Sequence, residues 1–252
     1  MCRKYVIPKR GTEIKVETEV HWAEKDSMLK MSVPTAIKDA EYYGQIAYGR
    51  GKLPNDGSEV VAQKWTAVVS KKDNKALSCI NNCIYGSDCK DGEMRLTLFR
   101  SPAYSAHSAT DTKIDMPQDR YSARVDQGPR YFEFWFNAGK SAKRIKAVDR
   151  ESLVKNEKLF ALPFFPAGTG KKPKPFAILS DKTSQITAVK KAEKNNNIII
   201  RLFEPTGKAT STTLKLPALR KTIKVNLGAF EIKTLSINPK TRKYKEVDLL
   251  EK

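Results

Sequence analysis

The clearest hydrophobic pattern in the chain lies in the segment TEIKVETEVHW. Ile14, Val16, Thr18, Val20 and Trp22 alternate there with charged or polar residues, which is the pattern of a β-strand with one buried face. The runs MLKMSVP, WTAVVS, ALSCINNCIYG and MRLTLF also have extended character. The sequence KDG between the last two is a hairpin-turn signal. Because helical periodicity is nearly absent, we predict an all-β sandwich.

The most aromatic segment is RYFEFWFNAG. In a strand, Phe132, Phe134 and Phe136 would point to one face, and the intervening residues would point to the other. Three phenylalanines on one face are typical of a core, because each buries a large apolar area and needs no polar partner. Tyr131 and Trp135 could instead form a stacking platform for a sugar or a nucleic acid. We predict a core strand, with the second face exposed or in contact with another layer.

The pattern changes in the second half of the chain. The segment DRESLVKNEKLFALPFF predicts one short helix, and PAGTGKKPKP is typical of a linker between domains. Short extended runs follow, namely SQITAVKKAE, NIIIRLFEPTG, STTLKLP, TIKVNL and FEIKTLSIN. We predict a large β-sandwich over residues 1–150, a linker and crossing segment over 151–180, and a small C-terminal β-sandwich over 181–252.

The positive charge of the chain is unevenly distributed. Of the net charge of +19, residues 1–139 hold 21 basic and 18 acidic side chains, and residues 140–252 hold 26 basic and 10 acidic ones. A groove for nucleic acid would interleave cations and aromatic rings on one face. The separation of the basic excess from the aromatic segment therefore weighs against nucleic acid as a partner and favours solvated lysines.

The cysteines and the N-terminus indicate a cellular compartment. Cys79, Cys83 and Cys89 have a spacing that resembles a metal site, but no histidine nearby completes a set of four zinc ligands. Together with Cys2, they are expected to be free thiols in a reducing compartment. The start MCRKYVIPKRG lacks the apolar region of a secretory signal, and no apolar run approaches the ~20 residues of a membrane helix. We expect a cytoplasmic protein without a membrane partner.

Five segments together resemble part of a known enzyme family. They are VETEVHWAEKDSMLKMSVP, INNCIYGSDCKDGEMRLTLFRSPAY, RVDQGPRYFEFWFNAG, IIIRLFEPTGKAT and LGAFEIKTLSIN. In this order they resemble the C-terminal half of the α-mannosidases of glycoside hydrolase family thirty-eight, and the resemblance covers nearly the whole chain. It is strongest to the bacterial, cytosolic members. The resemblance implies a large sandwich like that of galactose mutarotase, followed by a small immunoglobulin-like sandwich.

The resemblance also implies that the catalytic groups lie elsewhere. Members of the family use a divalent metal, usually zinc, and two carboxyl groups that belong to an N-terminal barrel and helical segment preceding the matching part. His21 and His107 have no metal-ligand spacing, and no pair of carboxylates can be selected from the sequence for retaining chemistry. We expect a non-catalytic C-terminal region whose large sandwich is incomplete at its N-terminus. It would have no cofactor of its own, the N-terminal catalytic region as its partner, and mannosides as ligands of the whole enzyme.

Three residues in matching motifs are candidates for contact with the sugar. They are Arg100 in LFRSP, and Asp126 and Gln127 in RVDQG. An arginine can bind a carboxylate or sugar hydroxyls, and an Asp-Gln pair can accept from and donate to a diol. A structural interpretation is also open, in which Arg100 pairs with Asp126 and Gln127 caps the turn at Gly128. A stand-alone carbohydrate-binding module and a basic binder of polyanions remain alternative functions.

Overall fold

The structure divides into two compact units. It is a computed structural model that describes residues 1–82, 84–102, 123–160 and 174–252. The first unit comprises Met1–Ile46 and Gly51–Asn156, and the second comprises Ala47–Arg50 and Glu157–Lys252. Strands dominate both units and pair in antiparallel fashion. The predicted all-β class is confirmed.

The first unit is a sandwich of two sheets. Its strands are β1 (Cys2–Val6), β2 (Glu13–Trp22), β3 (Met28–Pro34), β4 (Glu41–Ile46), β5 (Gly49–Leu53), β6 (Val60–Val61), β7 (Trp65–Ser70), β8 (Lys75–Asn81), β9 (Gly86–Lys90), β10 (Glu93–Arg100) and β11 (Gly128–Gly139). One sheet has the order β1-β2-β11-β8-β7-β4-β5, and the other has the order β3-β10-β9-β6. Apolar side chains from both sheets form the core between them.

The aromatic segment is the strand β11, in the interior of the larger sheet. It pairs with β2 on one side and with β8 on the other. Phe132 and Phe134 are buried in the core, and Phe136 packs against it at the border. The rings of Phe99 and Phe132 meet edge to face with 5.4 Å between centroids, and that of Trp22 stacks on Phe99 at the same separation. The predicted core face is therefore observed as a continuous row of rings.

A helix covers part of the opposite face of this sheet. Helix α1 (Ser141–Asn156) packs on β7, β8 and β11, where Val148 lies among the buried side chains of Trp65 and Trp135. The Trp65 indole donates a hydrogen bond of 2.8 Å to the Asp149 carboxylate. The helix is longer and begins earlier than the short helix predicted from the sequence. The buried positions of the helix include polar residues. The apolar periodicity of its sequence is therefore weak and does not predict a helix over these residues.

The predicted KDG hairpin turn is observed, but the strand that precedes it differs from the prediction. The KDG turn joins β9 to β10, where Lys90 pairs with Glu93, whereas the sequence had suggested that it joins the ALSCINNCIYG and MRLTLF strands directly. Asp91 and Gly92 have φ angles of 52° and 79°, as required in the tight turns that connect adjacent strands. Strand β9 was overlooked because GSDCK is short and carries little apolar pattern.

The second unit is a smaller sandwich. Its strands are β12 (Ile178–Leu179), β13 (Gln185–Lys191), β14 (Ile198–Phe203), β15 (Thr210–Leu216), β16 (Lys221–Leu227), β17 (Ile232–Ile237) and β18 (Tyr244–Val247). The sheets have the orders β12-β15-β16 and β13-β14-β17-β18. Alternate residues of β14, β15, β16 and β17 fill the core, among them Ile200, Leu214, Ile223 and Leu235. A short 3₁₀ turn (Pro217–Leu219) connects β15 to β16.

A buried carboxylate holds the turn that follows β14. Glu204 is inaccessible to solvent, and its two oxygens accept hydrogen bonds from the backbone N–H groups of Thr206, Gly207, Lys208 and Phe230. These donors replace the water that the carboxylate loses on burial. The turn in the sequence PTGK is thus fixed by a carboxyl side chain inside the unit.

Among the helices in the described parts of the chain, none is both long and apolar enough to cross a bilayer.

We expect Phe134→Ala to lower the free energy of unfolding by about 3–5 kcal/mol, because the ring is fully buried and its loss leaves a cavity. Denaturation in urea, followed by circular dichroism, measures the effect. Tyr131→Ala, on the same strand but 51% exposed, serves as the matched control and should change stability by no more than about 0.5 kcal/mol. Equal effects of the two substitutions would contradict the core assignment of Phe134.

Candidate functional site

The three residues predicted to contact a sugar lie on chain segments that meet at one end of the first sandwich. We call this region the loop cluster and define it as residues 23–27, 100–102 and 123–128. Backbone hydrogen bonds connect the segments, from Asp26 N–H to Ser101 C=O at 2.8 Å and from Val125 N–H to Pro102 C=O at 3.1 Å. The buried Ser101 hydroxyl donates to the Ser27 carbonyl. These bonds fix the loops relative to one another.

Arg124, which the sequence patterns did not indicate, connects two segments of this cluster. Arg124 donates two hydrogen bonds to Asp26, from Nε to Oδ1 at 2.9 Å and from Nη2 to Oδ2 at 3.0 Å. The Arg124 side chain is almost entirely buried, whereas Asp26 is about half exposed. The guanidinium lowers the pKa of the Asp26 carboxyl below its usual value. This bidentate pair connects the β2–β3 loop to the residues that precede β11.

The predicted residues have different surroundings. Arg100 is exposed at the end of β10. Asp126 has a φ of 53°, and its carboxylate lies 4.0 Å from the Arg130 guanidinium. The suggested pairing of Arg100 with Asp126 is not observed among the described residues. Gln127 donates to the carbonyls of Glu24 and Val125 at 2.9 and 3.2 Å.

The three residues therefore differ in how far their side chains are engaged within the loop cluster. The Gln127 amide connects two segments of the cluster, which is a structural contact but not the suggested cap of the turn at Gly128. The guanidinium of Arg100 and the carboxylate of Asp126 remain accessible to a ligand. Whether any of the three contacts a sugar stays a prediction.

A second group of charged and aromatic side chains lies on the outer face of the larger sheet. Lys15 bridges the carboxylates of Glu133 and Glu17, with Nζ–O distances of 2.5 and 2.7 Å. Hydrogen bonds to Glu133 and then to Glu17 raise the pKa of Lys15 well above its usual value. The ammonium groups of Lys15 and Lys155 lie 5.7 and 5.0 Å from the centroid of the Trp135 ring. Together these residues form a tightly paired ionic cluster.

This cluster decides the question raised by the aromatic segment. Trp135 is only 9% exposed, and two lysines and helix α1 surround it. A sugar platform needs an open ring face, so Trp135 is unsuited to stack on a ligand. Tyr131 is exposed, but its ring contacts no other aromatic ring in the part of the chain that the structure describes. Glu133 is also largely buried. Part of the outer face of β11 therefore contacts another layer, which was one of the two arrangements expected for this face.

The described residues offer little for metal binding or nucleophilic catalysis. In the ranges given above, no group of three or more His, Cys, Asp or Glu side chains could hold a metal ion. Cys2, Cys79 and Cys89 are free thiols. Burial raises the pKa of Cys89 to about 11 and that of Cys79 further, so both are weak nucleophiles. His21 is exposed on β2, whereas Cys83 and His107 lie outside the described residues.

Comparison with known families agrees with the motif order read from the sequence. The family model described as the C-terminal domain of glycosyl hydrolases family 38 matches residues 1–118. A second model, described as the C-terminal beta sandwich domain of the same family, matches residues 183–252. The chain belongs to glycosyl hydrolase family 38. The two models follow the order of the two units, and both describe the C-terminal part of family members.

Relatives of this family 38 chain are much longer than it is. Alpha-mannosidase G of Dictyostelium discoideum is 26% identical over 97% of this chain, and the match spans 22% of that protein. Alpha-mannosidase 2C1 of Mus musculus is 24% identical over 77% of this chain and 18% of its own length. The chain thus spans about a fifth of the length of these relatives.

Solved structures confirm the fold. A glycosyl hydrolase family 38 protein from Enterococcus faecalis superposes with a TM-score of 0.75 over 93% of this chain and 29% of its own, at 18% identity. An alpha-mannosidase from Enterococcus faecalis V583 gives a TM-score of 0.73 over 90% of this chain and 27% of its own, also at 18% identity. At this identity the likeness establishes the architecture and not the activity.

Arg124 itself could have been selected from the motif RVDQG, in which it lies two residues before Asp126. Nothing in the sequence pattern, however, connects it to Asp26. The two residues are separated by 98 positions, and charged residues in polar loops are common. Only the packing of the two loops selects this pair from the many possible ones.

We expect Arg124→Ala to loosen the loop cluster, because the substitution removes both hydrogen bonds to Asp26. Amide hydrogen exchange at Asp26, Ser101 and Val125 should accelerate about tenfold or more. Arg130→Ala is the matched control, since Arg130 is exposed and its nearest carboxylate is 4.0 Å away. It should leave the exchange of these amides unchanged. Unaltered exchange in Arg124→Ala would show that the backbone bonds alone hold the loops.

Proposed function

We propose that this chain is the non-catalytic C-terminal β-sandwich region of an α-mannosidase. In this proposal, it supports an N-terminal catalytic region, and the whole enzyme hydrolyses α-mannosides in the cytoplasm. The observation that carries the proposal is the ordered match of two family 38 C-terminal models to residues 1–118 and 183–252. The names of the relatives, alpha-mannosidase G and alpha-mannosidase 2C1, supply the activity of the whole protein.

The metal of the proposed enzyme would be held outside this chain. Zinc in a catalytic site needs three protein ligands, usually His, Asp, Glu or Cys, arranged around one point. The described residues do not provide such a group, so the residues present do not fit a zinc site. The proposal therefore assigns the metal, the nucleophile and the acid/base carboxylate to the catalytic region.

The loop cluster is the part of this chain that we assign to the sugar pocket. It combines a rigid frame, provided by Arg124, Asp26 and Ser101, with accessible polar groups on Arg100 and Asp126. A frame of this kind can hold a donor or an acceptor in one position without reorganisation when a ligand binds. The cytoplasmic location is supported by the free thiols, which persist in reducing compartments.

A stand-alone carbohydrate-binding module is the less favoured alternative. It would use Tyr131 and Trp135 as ring platforms, and the burial of Trp135 beneath α1 and two lysines argues against this use. Binding of mannose or mannobiose by the isolated chain, lost in Tyr131→Ala, would support the alternative instead.

We expect the purified chain not to hydrolyse an aryl α-mannoside, with or without added zinc, because it lacks a metal site among its described residues. Co-expression with a family 38 catalytic region from the same organism should give a complex with measurable turnover. The catalytic region alone, purified in parallel, is the control. Turnover by the isolated chain, free of contaminating enzyme, would refute the proposal, as would an equally active catalytic region without its partner.

In the reconstituted complex, we expect Arg100→Ala to lower kcat/KM by about tenfold or more while leaving the melting temperature unchanged, because its guanidinium is exposed and free to contact the sugar. Gln127→Ala should lower both activity and stability, since its amide also spans the loop cluster. Arg3→Ala, on the exposed strand β1, controls for the loss of a surface charge. Unchanged kcat/KM in Arg100→Ala would remove Arg100 from the substrate site.

A further inference from the structure

The second unit contains a pocket whose described polar walls are almost entirely cationic. It has a volume of about 410 Å³ and lies at one end of the three-stranded sheet. Lys174, Lys215, Arg220 and Lys221 line it, and no acidic residue occurs among its described lining residues. None of the four cations forms an ion pair with a carboxylate of the described part of the chain.

The sheet sets the direction of one of these cations. Lys215 lies on the central strand β15 and pairs with Ile178 of β12 and with Thr222 of β16. The next residue, Leu216, points inward and is fully buried. Because side chains alternate along a strand, Lys215 must point outward. Ile178, Lys215 and Thr222 therefore form a row across the outer face of the sheet, which is the floor of the pocket.

The turn between β15 and β16 fixes a second cation. Arg220 follows the 3₁₀ turn with φ 47° and ψ 42°, and its N–H donates to the Pro217 carbonyl at 3.1 Å. The ring of Pro217 restricts the start of the same turn. Lys221, beside it, pairs with the inward-pointing Leu216, and its ammonium lies 5.5 Å from the centroid of the Tyr244 ring, so its charge is directed away from the outer face of the sheet. The backbone that carries these two cations is thus held by the fold.

The charge of the pocket is not balanced by neighbouring sequence. The described residues 174–180, at the edge of the pocket, contain one lysine and no Asp or Glu. Like charges at close range repel each other, and the repulsion is relieved when an anion binds between them. A concave group of unpaired cations is therefore a site for an anion, whereas the same cations spread over a flat surface would remain solvated.

We propose that this pocket binds a phosphate group, either as inorganic phosphate or as the phosphomonoester of a small molecule such as a sugar. A guanidinium matches two phosphate oxygens with its parallel N–H groups, and lysines add positive charge from the sides. The Thr222 hydroxyl can donate a further hydrogen bond.

The shape of the pocket favours a small phosphorylated ligand over a nucleic-acid strand. Its volume lies within the usual range of small-molecule sites and exceeds the space that one phosphate needs. The apolar lining residues Pro175, Ile178 and Pro217 can contact the carbon skeleton of the rest of the ligand. Strand-binding proteins instead combine an open basic groove with several exposed aromatic rings, and no aromatic residue is among the described lining residues.

Isothermal titration of the full 252-residue chain with a hexose 6-phosphate, the same neutral hexose and inorganic phosphate tests the proposal. We expect the phosphohexose to bind, inorganic phosphate to bind more weakly, and the neutral hexose not to bind. Equal affinity for the phosphohexose and inorganic phosphate would identify free phosphate as the ligand, which also supports the site. Absence of binding by both phosphate compounds at low salt would overturn it.

A pair of charge-matched variants tests the location. The double substitution Lys215→Gln with Arg220→Asn should weaken phosphohexose binding by about tenfold or more, and asparagine tolerates the left-handed conformation of position 220. The control, Lys224→Gln with Lys240→Gln, removes two exposed charges of the same unit outside the pocket and should weaken binding by less than about twofold. Unchanged melting temperatures would confirm that both variants fold.

Equal losses in the two double variants would show a diffuse basic surface and overturn the pocket. The same conclusion would follow if duplex DNA bound more tightly than the phosphohexose and both double variants weakened its binding equally. Neither result depends on α-mannosidase activity, so failure here leaves the proposed function untouched.

Discussion

The row of aromatic rings inside the first sandwich is the packing interaction on which the rest of that unit depends. Phe132 and Phe134 project from β11 into the core, and Phe99 and Trp22 extend the row from β10 and β2. Strand β11 pairs with both β2 and β8, so its inward rings pack beneath the interior of the larger sheet. The rings thus connect the two sheets and also set the position of the residues that precede β11.

The loop cluster inherits its geometry from this core. Trp22 pairs with Gly128 at the end of the β2–β11 ladder, so the β2–β3 loop and the residues before β11 leave the sheet side by side. Arg124 and Asp26 then join the two segments by a bidentate pair. A packed interior in this way creates a rigid polar end of the sandwich, and we assign to that end the contact with the sugar pocket.

The opposite face of the larger sheet has a structural role. Helix α1 and the ionic cluster around Lys15 cover Trp135 and Glu133, so Tyr131 is the exposed aromatic ring on that face of the strand. The excess positive charge of the chain lies elsewhere, because it is concentrated in the second half of the sequence. There, the outward row of the three-stranded sheet and the turn beside it bring Lys215 and Arg220 to one concave site, whereas other lysines of the unit, such as Lys224, are exposed singly.

The sequence by itself determined the all-β class, the inward face of β11 and the family. The alternation of apolar residues and the order of the motifs are local signals, and they can be recognised without knowledge of tertiary contacts. It did not predict α1 correctly, because the buried side of that helix includes Arg144, Asp149 and Ser152, and polar residues carry no apolar period. Asp149, for example, is buried because it accepts a hydrogen bond from Trp65, a partner 84 positions away.

Only the tertiary structure decided which charged residues act together. Arg124 pairs with Asp26 and Lys15 pairs with Glu133, residues that are far apart in the sequence, and charged side chains occur throughout the chain at similar spacing. Trp135 illustrates the same limit for aromatic residues, since its position on β11 was predictable but its cover by α1 was not. Strand pairing and loop packing determine which of these residues come into contact. The sequence pattern does not contain the distances between residues that are far apart along the chain.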